Sequence, residues 1–304
     1  MPSPSDDMLQ SFRLQVLIIV VAGIQQTCHA APRSDRGFCA TAAPDESLRA
    51  EFRKLSISGN HGAADQESRK ALEPIEIETW FHVVSSNLSY LQDAYQNATI
   101  SYRLEGVTRQ VNDKWARNED ELAMKHALRK GTYRTLNVYF QSDLQVPTGP
   151  EAQGRHLDLS EQLSSSVLGF CTLPDPSING TSPRSSYVKD GCNVLARTMP
   201  GGSLTHYNRG GTAIHEIGHW NGLLHTFEGD SCSANNEGDY IDDTPQESIP
   251  TDGCPISKDS CPDSPGTDPV HNFMDYSSDE CYEHFTPAQV KRMRDMWYTT
   301  REGK

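Results

Sequence analysis

The chain has no apolar run long enough to cross a bilayer, no internal repeat, no low-complexity tract and no Cys-x-x-Cys pair. A membrane-spanning helix needs about 20 apolar residues, and the longest candidate, Leu14 to Ile24, falls well short of that. Missing repeats argue against a solenoid or propeller, and a missing Cys-x-x-Cys removes the usual mark of a structural zinc site. Basic residues are also scarce, with 27 Lys and Arg against 41 Asp and Glu, for a formal net charge of −14. That balance argues against nucleic acid and anionic membranes as partners. It says nothing about the substrate.

The short apolar run suits the central part of a signal peptide, with cleavage after Ala30 and residues 1–30 removed. Asp6 and Asp7 are wrong for the positively charged start of such a segment; beginning at Met8 removes both and keeps Arg13. Three N-x-[ST] sequons, at Asn87, Asn97 and Asn179, agree with a secretory route and a glycoprotein. Residues 31–72 are polar, with a helix-compatible stretch from Glu46 to Ile57, and read as a propeptide and linker.

From Glu73 the texture changes, so 73–304 is expected to be one catalytic domain. Ile75, Ile77, Thr79, Phe81 and Val83 alternate as a half-buried strand should. Leu88 to Gln96 reads as a helix stopped at Asn97; Ile100 to Leu104 and Leu136 to Phe140 read as strands, with a helix over 121–130 between them and Gly131 beyond it. Near the end, Thr286-Pro287-Ala288-Gln289 combines a Thr cap, Pro at the first helical position and Gln three residues on. That helix is predicted to run to about Arg301 with Val290, Met293 and Trp297 on one face.

The densest chemistry lies at His215-Glu216-Ile217-Gly218-His219-Trp220-Asn221-Gly222-Leu223-Leu224-His225, which fits H-E-x-x-H-x-x-G-x-x-H. Residues four apart share a helix face, so His215 and His219 can aim two imidazoles at one ion. Gly222 lets the chain leave the helix and turn back, and His225 then supplies a third nitrogen. Three imidazoles with a fourth position open is the layout of a catalytic zinc, and Glu216 stands beside the metal as the general base. A plain amphipathic core helix explains three histidines and a glutamate in so short a stretch poorly. A purely structural zinc normally takes four protein ligands.

Asn272-Phe273-Met274-Asp275-Tyr276 resembles the methionine turn of the metzincins, which places a Met side chain under the histidines. Pro200 to Ser203, Tyr207 to Thr212, the zinc motif extended to Cys232, Ile100 to Asn112 and Met124 to Phe140 narrow the likeness. Together they resemble the pappalysin-like metzincins, in particular the secreted fungal extracellular metalloproteases of the cytophagalysin group, over roughly residues 73–300. Two departures stand out: Asn221, where the family has leucine, and Asp230, where a second glycine is usual.

The resemblance implies an α/β (α+β) metzincin domain. Its mixed twisted sheet, backing helix and active-site helix form an upper part over a loop-rich lower part ending in a C-terminal helix. It also implies a secreted zinc endopeptidase acting on extracellular peptides and proteins, with substrates as its only partners and the chain a monomer. Met274 is then the turn methionine, and Tyr276 a catalytic hydroxyl for the oxyanion. The backbone of the Gly191 to Thr198 region is expected to align the substrate in extended form.

Six cysteines in the catalytic region allow 15 pairings, among which sequence alone does not choose. The resemblance implies Cys232–Cys261 and Cys254–Cys281, leaving Cys171 with Cys192. Cys39 is left over. Phe38-Cys39-Ala40-Thr41 resembles the Cys-Gly-Thr segment of family propeptides, whose thiolate takes the open zinc position, although Ala40 replaces the glycine. A leftover thiol, or one paired with Cys28, is the plainer alternative. Asp230, Glu237, Asp239, Asp242 and Asp243 crowd one loop; they read either as a solvated acidic loop or, because related enzymes bind calcium nearby, as a Ca²⁺ site without EF-hand spacing.

Overall fold

A computed structural model describes residues 37–58, 73–82, 89–147 and 164–304. The expected signal segment, the sequon at Asn87 and Cys28 lie outside the described residues. All of the described chain falls in the unit Asp35–Lys304.

Seven strands build the sheet. They are β1 (Gly37–Cys39), β2 (Ile75–His82), β3 (Ile100–Thr108), β4 (Leu136–Gln141), β5 (Gln145–Pro147), β6 (Ser164–Cys171) and β7 (Cys192–Leu195). Their order is β1-β6-β7-β4-β2-β3, with β5 pairing to β6. β7, β4, β2 and β3 run parallel, β6 runs antiparallel to β7, and β1 runs parallel to β6. The alternation read in β2 is real: Ile75, Ile77, Thr79 and Phe81 are buried while Glu76 is exposed. Every residue of the inner strands β4 and β7 is buried, as expected where both faces of a parallel sheet are covered.

The Gly191 to Thr198 region is therefore not an edge. β7 is hydrogen-bonded on both sides, by β4 and by β6, so its backbone has no free row for a substrate. β6 lies beyond β7 in the sheet, and β1 pairs with its outer side.

Six helices are described: α1 (Glu46–Ser58), α2 (Ser89–Tyr95), α3 (Asp113–Ala116), α4 (Glu121–Leu128), α5 (Gly211–Trp220) and α6 (Pro287–Met296). Thr99, with φ of 51°, turns the chain out of the helical turn after α2 and into β3. α6 begins with the reciprocal cap its sequence announces: Gln289 N donates to Thr286 Oγ1 at 3.1 Å, and Thr286 N donates to Gln289 Oε1 at 2.9 Å. It continues as a π-helical turn through Trp297–Arg301, with Met293 and Trp297 in the main core.

That core joins Ile77, Phe81, Val138 and Val194 of the sheet to Ile214, Ile217 and Trp220 of α5. Beneath it lies a buried ion cluster. Asp190 accepts from Arg129 at 3.2 Å, Arg301 at 3.0 Å and Trp220 Nε1 at 3.2 Å, and Arg301 stacks 3.6 Å from the Trp220 ring. Burial alone would raise the Asp190 carboxyl, but the two guanidiniums offset it and hold the group below its ordinary range. The loop over residues 229–269 adds nothing to this core and is crosslinked instead. Cys232 is joined to Cys261 and Cys254 to Cys281, and Cys171 ties β6 to Cys192 of β7. These are the pairs the resemblance implied.

Residues 37–58 pack onto this body. Asp45 caps α1 by accepting from Leu48 N at 2.9 Å, and Leu48 and Phe52 are buried against Leu224, Tyr240 and Met296. Arg53 reaches Glu237 with both prongs, at 2.7 and 2.8 Å; the pair is partly exposed, so its contribution is small.

Candidate metal centre

α5 carries the motif as far as Trp220, every residue of the helix is buried, and His225 beyond it is half-buried. Gly210 precedes it with φ of 101° and offers no side-chain cap. Asp279, arriving from the far loop, holds the chain entering this end by accepting from Arg209 N at 2.6 Å. Gly211 must be small, since a Cβ there would lie 2.4 Å from Asp279 Oδ1. At the other end Gly222 adopts φ of 95°, a region open to glycine, and the chain turns back toward His225.

The three histidines converge. His219 Nε2 lies 3.1 Å from His215 Nε2 and 3.1 Å from His225 Nε2. His215 Nδ1 stands 2.8 Å from Phe273 O, and His219 Nδ1 stands 2.8 Å from Leu223 O. A carbonyl oxygen only accepts, so both Nδ1 atoms carry the proton and both Nε2 atoms point lone pairs inward. Burial lowers the His215 imidazolium to about 3 and drives His219 well below its usual value, so neither is cationic at neutral pH. Lone pairs facing one another at that distance suit a cation between them, and the donor set fits zinc.

The methionine turn packs below. Met274 is fully buried, and a Cβ on Gly218 would come within 2.5 Å of its sulfur, so the helix is shaped to the turn. Asn272 holds the turn to α6 through Gln289, at 2.8 and 3.1 Å, and Thr226 N donates to Met274 O at 3.3 Å. Tyr276 brings its hydroxyl 3.2 Å from His225 Nε2. Asn221 is buried and turned from the histidines; it donates to the Tyr102 hydroxyl at 2.9 Å, a polar contact in place of the expected leucine packing. Asp230 takes φ of 46°, the left-handed conformation for which glycine is the usual residue and Asp is tolerated.

Glu216 is fully buried, and burial raises its carboxyl to about 8. Its Oε1 has no hydrogen-bond partner, while Oε2 accepts from Thr41 Oγ1 at 3.3 Å and from the Cys39 thiol at 3.4 Å. Gly169 of β6 lies against the same side chain: a Cβ there would meet Glu216 Cγ at 2.6 Å and Oε1 at 2.7 Å.

Cys39 is brought into this group. Its sulfur lies 3.5 Å from His219 Nε2, and its ligand atom and those of His215, His219 and His225 all lie within 4.8 Å of one another. β1 carries it there by pairing Cys39 with Gly169 of β6, extended by Ala40 N donating to Gly169 O at 3.0 Å and Cys171 N donating to Thr41 Oγ1 at 3.0 Å. Among the described cysteines it alone is unpaired.

The acidic loop is more committed than its composition suggests. Glu237 pairs with Arg53, Asp243 accepts from Ala288 N at 2.9 Å, and Asp239 is buried with Thr244 Oγ1 donating to both of its oxygens at 2.9 Å. Burial raises the Asp239 carboxyl to about 8. Asn97 and Asn179 are exposed.

The sequence alone had not found Phe38, Thr41, Tyr207, Gly169 or Asp279 as neighbours of the site. β6 begins Ser-Ser-Ser, a polar start that hides a strand, and Asp279 acts across 70 residues.

An extracellular metalloprotease of Aspergillus oryzae is 62% identical over 312 residues, covering 96% of this chain and 98% of the relative. The peptidase M43 family model, described as pregnancy-associated plasma protein-A, matches residues 180–297. The chain belongs to the peptidase M43, or pappalysin, family. It is a metalloprotease. An Aspergillus fumigatus extracellular metalloprotease is 59% identical, covering 95% of this chain and 97% of its own length, and one from Pyricularia oryzae is 39% identical over 88% and 90%. Among solved structures, mirolysin in complex with compound 9 superposes with a TM-score of 0.53 at 22% identity, covering 76% of this chain and 94% of that one. That likeness establishes a shared fold. The pappalysin reading thus agrees with the mixed α/β architecture. Among the described residues, no helix is long and apolar enough to cross a membrane.

Proposed function

We propose that the chain is a secreted zinc endopeptidase of extracellular peptides and proteins, made as a zymogen whose Cys39 thiolate caps the metal. The observation that carries it is the convergence of three histidine Nε2 atoms beside a buried glutamate with one free oxygen. His215, His219 and His225 would hold Zn²⁺. When bound, the ion lowers the pKa of water toward about 7 and polarises a carbonyl.

Glu216 accepts the proton of the attacking water and delivers it to the leaving amine; burial raises its carboxyl, and a cation held by the histidines would act in the opposite sense and favour the carboxylate a base needs. Tyr276, within reach of the histidine cluster, donates its O–H to the oxyanion. The outer edge of β6, relieved of β1, presents backbone groups that pair with an extended peptide. In this reading residues 1–30 are a signal peptide, 31–72 a propeptide and 73–304 the catalytic domain, acting as a monomer without nucleic acid or membrane. The relatives' extracellular names and the exposed sequons at Asn97 and Asn179 support the secretory route. Calcium, as a second ion, has Asp239 as its candidate ligand and acts on loop order, not on the reaction; added Ca²⁺ raising the melting temperature is its test.

The decisive experiment combines metal analysis with cleavage of a peptide library by trimmed protein. One zinc per chain with chelator-sensitive cleavage is expected. Zinc without cleavage would favour a binding protein built on a protease fold, and cleavage confined to non-peptide amides would favour another hydrolase.

A further inference from the structure

Phe38 sits in an aromatic recess at the rim of the metal centre. Its ring stacks on Tyr276 at 4.2 Å between centroids and 21° between planes, and meets Tyr207 and His215 edge-on at 5.5 Å each. Leu204 lines the same apolar cluster. None of this packing is needed to hold Cys39 in place. The thiol makes its own approach to His219, and Ala40 and Thr41 supply the strand pairing and side-chain contacts to β6.

Apart from Ala40, the residues around Phe38 lie in 144–195 and 204–276, so removing residues 31–72 empties the recess and leaves its walls in the chain. A peptide paired to the β6 edge, with its scissile bond where Cys39 lies, brings a neighbouring side chain to the position of Phe38. Strand spacing is about 3.3 Å per residue, so the match is to the residue directly beside the bond. Three carboxylates act on the Tyr207 hydroxyl: Asp279, which holds Arg209 N, Glu280, which pairs with His206 at 2.9 Å, and the exposed Asp252. A basic side chain is therefore the competing occupant, and the rings that meet Phe38 favour an aromatic one.

We propose that this recess is a specificity subsite for an aromatic side chain flanking the scissile bond, and that Phe38 fills it in the latent chain as an internal surrogate. The inference rests on the peptidase reading above and names its substrate class. In a library digest by the trimmed, zinc-loaded protein, Phe, Tyr or Trp is enriched at one of the two positions flanking the cut. kcat/KM for a Phe peptide exceeds that of its Ala counterpart by roughly tenfold or more, and Tyr207→Ala lowers that ratio severalfold. A readout free of turnover is calorimetry on metal-free trimmed protein: a synthetic peptide of residues 35–43 binds more tightly than the same peptide carrying Phe38→Ala. Cleavage with flat preference, enrichment of Arg or Lys instead, or equal binding of the two peptides overturns the subsite and leaves the peptidase reading standing. No cleavage of any peptide overturns both.

Discussion

Cys39 and Glu216 are 177 positions apart in the chain and 3.4 Å apart in the fold, with the thiol donating to the carboxylate. Thr41 donates to the same oxygen. In the mechanism proposed above, the segment around Cys39 would therefore occupy the general base as well as the metal position, and both would have to be freed before water is activated. In the arrangement described, burial and the Glu216 carboxylate push the thiol well above its ordinary value; a cation at the histidines acts in the opposite sense and favours thiolate.

Glu216→Gln tests the base. The amide is isosteric and is not part of the histidine set, so zinc content measured by metal analysis stays at one per chain. Peptide hydrolysis falls by roughly 10²–10⁴-fold, the usual worth of general-base assistance. Near-wild-type turnover by a zinc-loaded variant would remove Glu216 from the mechanism.

Cys39→Ala tests the lock. Untrimmed protein retaining residues 31–72 is expected to be nearly silent in the wild type and active in the variant, because water regains the fourth position. Thiol-reactive mercurials should activate the wild type in the same assay. Variant and parent equally silent before trimming would mean that the strand pairing and the α1 contacts block the cleft without a metal bond.

Asp190→Asn tests the cluster under the motif helix. Two buried guanidiniums, Arg129 and Arg301, lose their common counter-charge. Breaking one side of a buried ion pair costs roughly 3–5 kcal/mol, which urea unfolding would register as a lower midpoint. The effect reaches the site because Arg301 also donates to Trp220 O at 3.2 Å, the residue after His219.

His82 gives a pH dependence of stability. Burial, helped by Lys130 and Arg129, lowers its imidazolium from 6.5 to about 4. The unfolded chain therefore binds a proton more readily than the fold does. Stability is complete above about 6.5 and is lost as pH falls toward 4, by an amount on the order of 3 kcal/mol. Urea midpoints at pH 7 and 4.5 should differ less in His82→Gln than in the wild type; an unchanged difference would show that other groups carry the acid sensitivity.

Most of this site was legible because its chemistry is local. His215, Glu216 and His219 lie on one helix face, and Gly222 and His225 follow within a turn, so spacing fixed their geometry. The strand alternation of β2 and the cap at Thr286 are local in the same sense. What escaped was set by distant partners. The substrate edge was expected near Gly191 to Thr198, yet an edge is defined by which strands lie beside it, and β6 covers that side of β7. The Asp279–Arg209 contact and the Phe38 recess likewise join residues that no short window contains.

Gly169 links two functions that sequence keeps apart. On one side its carbonyl takes the pro-segment's amide, and on the other its missing side chain makes room for Glu216. A single residue thus sets the distance from the bound backbone to the proton acceptor, like a spacer between rail and tool. A methyl group at 169 would leave the histidines and the edge hydrogen bonds formally intact while pushing the carboxylate out of line. Such a variant would bind metal and the residue 35–43 peptide yet hydrolyse substrates slowly, a defect in alignment that the zinc motif alone would never assign to a glycine on a neighbouring strand.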